Sequence, residues 1–274
     1  MNLVRAELFK IRTTSLWWIM GLILVPLYAA SVLLNWATAS AGAPAADSGT
    51  PDTQQAQIEA ALKPINVATN LYTSGQFMGV LIVLLLCAII VTSEFFHLTA
   101  TTTFLVTPRR EAVILAKFGA AVIVGLAVWA VTTLLNLVFV PLILSSLDFG
   151  SQLGEPAVWR AIALNGLAFV LWAVLGVGAG VLIRSQIAAT LTLAILYTVG
   201  TSAVGLIFFL LTENVARWFE NLQVLIPTTA SQLMISGTEL PGNPPRWVGA
   251  LVLIGYALVA GTLGTLITKK RDIT

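Results

Sequence analysis

The sequence predicts an all-α membrane protein, a single transmembrane domain over residues 1–274 with six membrane-spanning helices. Three observations carry the prediction. Of 274 residues, 58% are hydrophobic and only 9% charged, whereas soluble domains carry about 25% charged residues. Mean hydropathy is +0.93, and a soluble fold this apolar would expose large adhesive patches. Between Trp17 and Ile267 the chain alternates long apolar runs with short polar interruptions. The single cysteine, Cys87, excludes an intramolecular disulfide and a thiolate cluster, and within Leu84–Ala88 it reads as a small buried hydrophobe. The first apolar run is too long for a signal-peptide core and has only a weak cleavage pattern at Ala39-Ser40-Ala41, so it is expected to be retained as a helix.

Residues 1–14 place Val4, Leu8 and Ile11 on one helical face and Arg5 and Arg12 on another, with Lys10 as a third positive charge. That pattern suits an N-terminal interfacial helix with its basic side on anionic headgroups; a basic flank that only fixes topology is the other reading. Span one, 17–39, opens on the interfacial pair Trp17-Trp18 and contains Pro26, a kink that neighbouring helices can accommodate. Ser40 to Tyr72 is polar and reads as an outside loop, with a short helix over 54–62. Span two, 75–92, is uncharged. Span three, 118–144, would be about 40 Å long as a helix against a hydrocarbon core of about 30 Å, so it must tilt, protrude or break near Pro141.

Span four, 159–183, carries Gly176, Gly178 and Gly180, small residues that let another helix approach closely. After the polar turn Arg184-Ser185-Gln186 comes span five, 188–211, so spans four and five read as a helical hairpin. Leu222 to Ile235 is apolar but too short to cross and contains Pro227, which suggests a re-entrant or interfacial segment. A proline-rich turn over 237–245 leads into span six, 248–267.

Charge placement sets the orientation. Arg5, Lys10, Arg12, Arg109, Arg110, Lys117, Arg184, Lys269, Lys270 and Arg271 fall on one side, against Lys63, Arg160, Arg217 and Arg246 on the other. The positive-inside rule then places both termini in the cytoplasm, and the expected location is a bacterial plasma membrane. No acid or base lies near the centre of a span. Because intramembrane charge costs about 2.5–3.5 kcal/mol and is kept where ion chemistry needs it, its absence argues against a proton- or sodium-coupled carrier. One histidine cannot build the usual two-histidine metal site, and no phosphate-binding Gly-x-x-x-x-Gly-Lys-Ser/Thr loop exists. The chain is therefore expected to be no enzyme, with no metal or cofactor of its own.

What remains is the polar stretch from Glu94 to Lys117. It connects spans two and three and contains His97, Thr99, Thr102, Pro108, Arg109 and Arg110. A short helix running along the membrane surface here would move both spans when pushed. Glu94 sits where span two leaves the membrane, and Pro108 ends the segment before Arg109 and Arg110 restart the chain at headgroup level. The run Thr101-Thr102-Thr103 is a poor helix former, so that helix needs a partner packed on it; a loop that only satisfies topology is the plain alternative.

Three motifs in this region carry a resemblance: Glu94-Phe95 with Thr99, then Leu105 with Pro108 and Arg110, then Lys117. With the opening run over 5–14 and the ending Lys269-Lys270-Arg271-Asp272-Ile273, they resemble the membrane permease subunits of type-2 ABC exporters, particularly small actinobacterial ones. Phe96 and Leu98 stand where that family often has arginine and glycine. The resemblance implies a cytoplasmic coupling helix between spans two and three and half of a translocation pathway for an amphipathic drug, peptide or lipid-like molecule. It implies an ATP-binding cassette subunit as partner, which would hold the ATP and Mg, and a second permease half, a homodimer or close paralogue. Membrane lipid is a further partner and nucleic acid is not. Spans two and five would line the pathway, and Phe77, Asn136 and Phe208 are candidate cargo contacts, each equally readable as packing. The alternative function is a secondary transporter or channel working without an ATPase.

Overall fold

A computed structural model describes residues 2–42, 52–97, 110–183, 185–216, 218–238 and 243–270. All regular structure among them is helical. Six helices are long and apolar enough to cross a membrane, so the chain has the architecture of a multi-pass helical membrane protein. In chain order the elements are α1 (Asn2–Thr13), α2 (Leu16–Ala41), α3 (Asp52–Ala61), α4 (Pro64–Tyr72), α5 (Gln76–Phe96), α6 (Arg110–Ser146) and α7 (Pro156–Leu182). Then follow α8 (Gln186–Ile195), a π turn (Leu196–Gly200), α9 (Thr201–Asn214), α10 (Phe219–Leu222), α11 (Pro227–Ile235) and α12 (Arg246–Lys270).

The centre of the bundle is the pair α5 and α7, the two spans that are mostly buried. Their close approach follows from two glycines on α7. A Cβ at Gly176 would run into the carbonyl of Leu84, and one at Gly180 would stand 2.7 Å from the carbonyl of Ala88, both on α5. Gly178 faces the other way, where a Cβ would lie 2.7 Å from Ala260 on α12. Without a strong hydrophobic drive between helices in lipid, such backbone proximity supplies the dispersion contacts that hold them. Around this pair, α2 and α8 lie against α5, α12 lies against α7, and α6 touches both.

Two expectations change. The segment read as an outside loop before residue 75 contains α4, whose Val67, Ala68, Leu71 and Tyr72 are buried with Val140, Leu144, Val158 and Ile162. The periodicity that builds this face is too short to stand out from the polar composition around it. α4 meets α5 at an elbow, where Gly75 has φ +82° and a Cβ would stand 2.7 Å from the Tyr28 ring. Of the readings that the length of span three allowed, α6 shows no break at Pro141. It is one helix of 37 residues, about 55 Å long, whose first turns extend beyond a hydrocarbon layer of about 30 Å.

Second, spans four and five form no packed hairpin: α8 lies mainly against α5 and touches α7 only briefly. Span five is one helical run over 186–214 that contains the π turn, beyond which α9 makes little contact with other spans and buries no residue. The short helix expected over 54–62 is α3, and the segment before span six is a chain of short helices, α10, a 3-10 turn at Gln223–Leu225, and α11, which folds against α12 and α7. Pro26 sits inside an uninterrupted α2.

Candidate functional site

Four charged side chains meet at the end of the bundle where α1 lies. Lys10 Nζ is 2.9 Å from Glu7 Oε1 and 2.6 Å from Glu94 Oε1, and Lys117 Nζ is 2.9 Å from Glu7 Oε2 and 2.8 Å from Glu94 Oε1. The four form a closed ring of alternating charge with no net charge. Three of the four are withdrawn from solvent, with side-chain exposures of 2% for Lys117, 5% for Glu7 and 7% for Glu94, whereas Lys10 is 46% exposed. Buried ions persist only when paired with good geometry and further hydrogen bonds, and here each carboxylate faces two ammonium groups.

The four members come from three helices. Glu7 and Lys10 are one helical turn apart on α1, Glu94 is in the last turn of α5, and Lys117 lies in the third turn of α6. The ring therefore ties α1 to both spans that flank residues 97–110. Apolar packing supports it: Val4 lies on the same side of α1 as Glu7 and packs at Gly119 of α6, where a Cβ would stand 3.2 Å from its methyl group. Burial alone would lower the Lys10 pKa, but hydrogen bonds and charges from Glu94 and Glu7 outweigh it and hold the group above the ordinary lysine value. The arrangement is suited to holding three helices in register.

The sequence-derived site residues distribute as follows. Lys10 and Glu94 come together in the ring, while Arg5 and Arg12 stand exposed on the opposite face of α1. His97 caps the end of α5, its backbone N–H donating to the Ser93 carbonyl at 2.9 Å and its exposed ring edge-on to Phe96 at 5.0 Å. Arg110 is the first residue of α6. Thr99, Thr102, Pro108 and Arg109 lie outside the described residues, and so does the coupling helix expected there.

Phe77, Asn136 and Phe208 sit on three different helices, α5, α6 and α9. Asn136 is buried and fully engaged: Tyr28 donates to its Oδ1 at 2.8 Å, and its Nδ2 donates to the carbonyls of Tyr72 at 2.9 Å and Ser74 at 3.1 Å. Those carbonyls are released where the chain breaks between α4 and α5, so Asn136 supplies donors that a continuous helix would have provided. Phe77 packs on Tyr197, ring centroids 5.0 Å apart, and its carbonyl accepts from the Tyr197 hydroxyl at 2.6 Å. Phe208 is half-buried on α9. Asn165 is buried on α7 with Oδ1 lacking any hydrogen-bond partner among the described residues.

Sequence reasoning missed Glu7 and took Lys117 only as the start of a span. The signal for Glu7 was available: it falls at i+3 from Val4 and i−4 from Ile11, a carboxylate on the apolar face of an otherwise basic helix. Fold and site together define a multi-pass helical membrane protein with a ring of paired charges at one mouth of the bundle. Compared with known proteins, the chain matches no family model and no curated sequence.

Proposed function

We propose that the chain is the membrane permease subunit of an ATP-driven ABC-type exporter, with the α1 end of the bundle in the cytoplasm. The observation that supports this most is the ionic ring. It joins the interfacial helix, the last turn of α5 and the third turn of α6, so a displacement of the segment between α5 and α6 is passed to the helix at the centre of the bundle. A separate ATPase subunit gripping residues 97–110 would use that linkage, and a second permease half, identical or closely related, would complete the pathway. The resemblance at Glu94, Pro108, Arg110 and Lys117 supplies the ABC assignment, and the scarcity of mid-span charge suits an amphipathic cargo.

The experiment is a cross-link. With Cys87→Ser and Thr102→Cys, membranes from cells that also make the candidate ATPase are treated with a bifunctional thiol reagent, with and without ATP. A cross-link to the ATPase that changes with nucleotide is the expected result; none, with the permease inserted and the ATPase left unbound, refutes the reading. The second reading is a secondary transporter, for which the buried carboxylates Glu7 and Glu94 are the relevant feature. It predicts flux driven by an ion gradient that persists when the ATPase is absent.

A further inference from the structure

At the end of the bundle opposite the ionic ring, a cleft of about 700 Å³ opens between α2, the α4–α5 elbow, α11 and the residues just before α12. That volume is within the range of small-molecule sites, roughly 300–1,000 Å³. One wall is a face of α11, from which Thr229, Gln232 and Leu233 line the cleft with the following Ser236, the spacing of one helical side. The residues behind them, Thr228, Ala230, Ser231 and Met234, are buried in the bundle. Gln76, itself only 5% exposed, also lines the cleft. Its Nε2 donates to Ser231 Oγ at 2.8 Å, and its Oε1 accepts no hydrogen bond among the described residues.

The polar groups of this cleft differ from those elsewhere at the same end. Asn66, Asn136, Arg160 and Arg246 are engaged within the chain: Asn66 bonds Ala60 and Thr238, Asn136 bonds the elbow, and both arginines donate to the Gly237 carbonyl. By contrast Asn70, Gln223, Thr229, Gln232 and Asn243 line the cleft with side chains that make no hydrogen bond among the described residues. Among the described residues no lysine, arginine or histidine lines it, and Glu220 is its one charged group. An anionic ligand finds no counter-charge among them. Carboxamides each offer two donors and an acceptor, the complement of hydroxyl groups, which both donate and accept. The free ones are spread over the end of α4, the 3-10 turn, α11 and the segment before α12, which a compact ring of hydroxyls satisfies better than a peptide, whose donors and acceptors follow a line along the backbone. Leu34, Met78, Val224 and Leu233 add an apolar side, and Leu34 belongs to the exposed apolar face of α2.

We infer that this cleft binds a glycoside: a neutral polyhydroxylated group held by the free carboxamides, with an apolar portion laid along Leu34 and α2. The inference does not depend on the exporter reading. Such a group reaches the cleft either from water or as the headgroup of a membrane lipid.

The test uses the full chain with Cys87→Ser and Ser31→Cys in phosphatidylcholine–phosphatidylglycerol nanodiscs, measuring the rate at which a water-soluble maleimide labels position 31 on the cleft wall. Probes share one alkyl chain and differ in headgroup: octyl glucoside below its micelle concentration, octyl sulfate, octyl phosphocholine and octyltrimethylammonium. Octyl glucoside is expected to slow labelling about threefold at twice its Kd, because protection follows 1 + [L]/Kd, while the other three leave the rate unchanged. Adding Gln223→Leu and Gln232→Leu is expected to abolish the protection without altering the unprotected rate. Methyl glucoside separates the sources: protection by it supports a water-borne ligand, and protection by octyl glucoside alone supports a lipid headgroup. Equal slowing by all octyl compounds, strongest slowing by the cation, no slowing by glucoside, or protection that survives the double substitution overturns the inference.

Discussion

Lys117→Met gives the sharpest test of the ionic ring. Methionine keeps most of the length and apolar stem of lysine but removes the ammonium group that stands 2.9 Å from Glu7 and 2.8 Å from Glu94. Two buried carboxylates are then left to Lys10, which is 46% exposed and already shared between them. Removing one partner of a buried pair costs about 3–5 kcal/mol, because the remaining charge is stranded. Lys117 is almost fully withdrawn from solvent, so the upper part of that range applies. Lys10→Met removes a charge that water screens and belongs near the 0–1 kcal/mol of exposed pairs.

Cys87 makes the assay direct. It is the only cysteine in the chain and is fully buried on α5, next to the Gly176 position of α7. A thiol-reactive fluorogenic dye therefore reports when the central pair opens, and denaturant titration in mixed micelles converts that signal to a free energy. Lys117→Met should lose about 3–5 kcal/mol, and adding Glu7→Gln should recover at least half by leaving one balanced Glu94–Lys10 pair. A Lys117→Met protein that opens at the wild-type denaturant concentration, or a double variant no more stable than the single, refutes the account.

Gly176→Ala should push α5 and α7 apart, since its methyl meets the Leu84 backbone rather than a yielding side chain; a loss of about 1–3 kcal/mol is expected for such overpacking, read by the same Cys87 exposure. Asn136→Leu strands the carbonyls of Tyr72 and Ser74 and should cost about 1–3 kcal/mol, whereas Tyr28→Phe removes only one bond to Asn136 and should cost about 1 kcal/mol; limited proteolysis near the elbow would rank them. The raised Lys10 pKa makes its contribution fully present below the ordinary lysine value of about 10.4 and lost as pH rises through the higher folded value. Stability should therefore show no step due to Lys10 between about pH 6 and 9, and a fall above about pH 10.5 should be smaller in Lys10→Met.

Six spans were legible because each is a long apolar run, a property of composition that needs no knowledge of neighbours. The glycines of α7 were legible too, since close helix approach in lipid selects small side chains whatever the partner. α4 was not, because a nine-residue helix becomes apolar-faced only through contacts with residues distant in the chain. The π turn gave no sequence signal: Tyr197 stabilises it through the carbonyl of Phe77, a partner 120 positions away. Half of the ionic ring was visible as charges at membrane edges. The pairing itself depends on α6 running unbroken from Arg110 through Lys117, whereas the sequence reading began span three only at 118.

The pairing of α5 with α7 has a consequence for how the chain is made. α5 ends at Phe96 and α7 at Leu182, so at a synthesis rate of about 5–20 residues per second the central helix waits roughly 4 to 17 s for the partner that fills its groove. Lys117 leaves the ribosome far sooner, roughly 1 to 5 s after Glu94 at the same rate. The ring of Glu7, Lys10, Glu94 and Lys117 can therefore close while the centre of the bundle is still empty. It fixes the depth of α5 relative to α6 during biogenesis, and α7 then enters a frame whose register is already set.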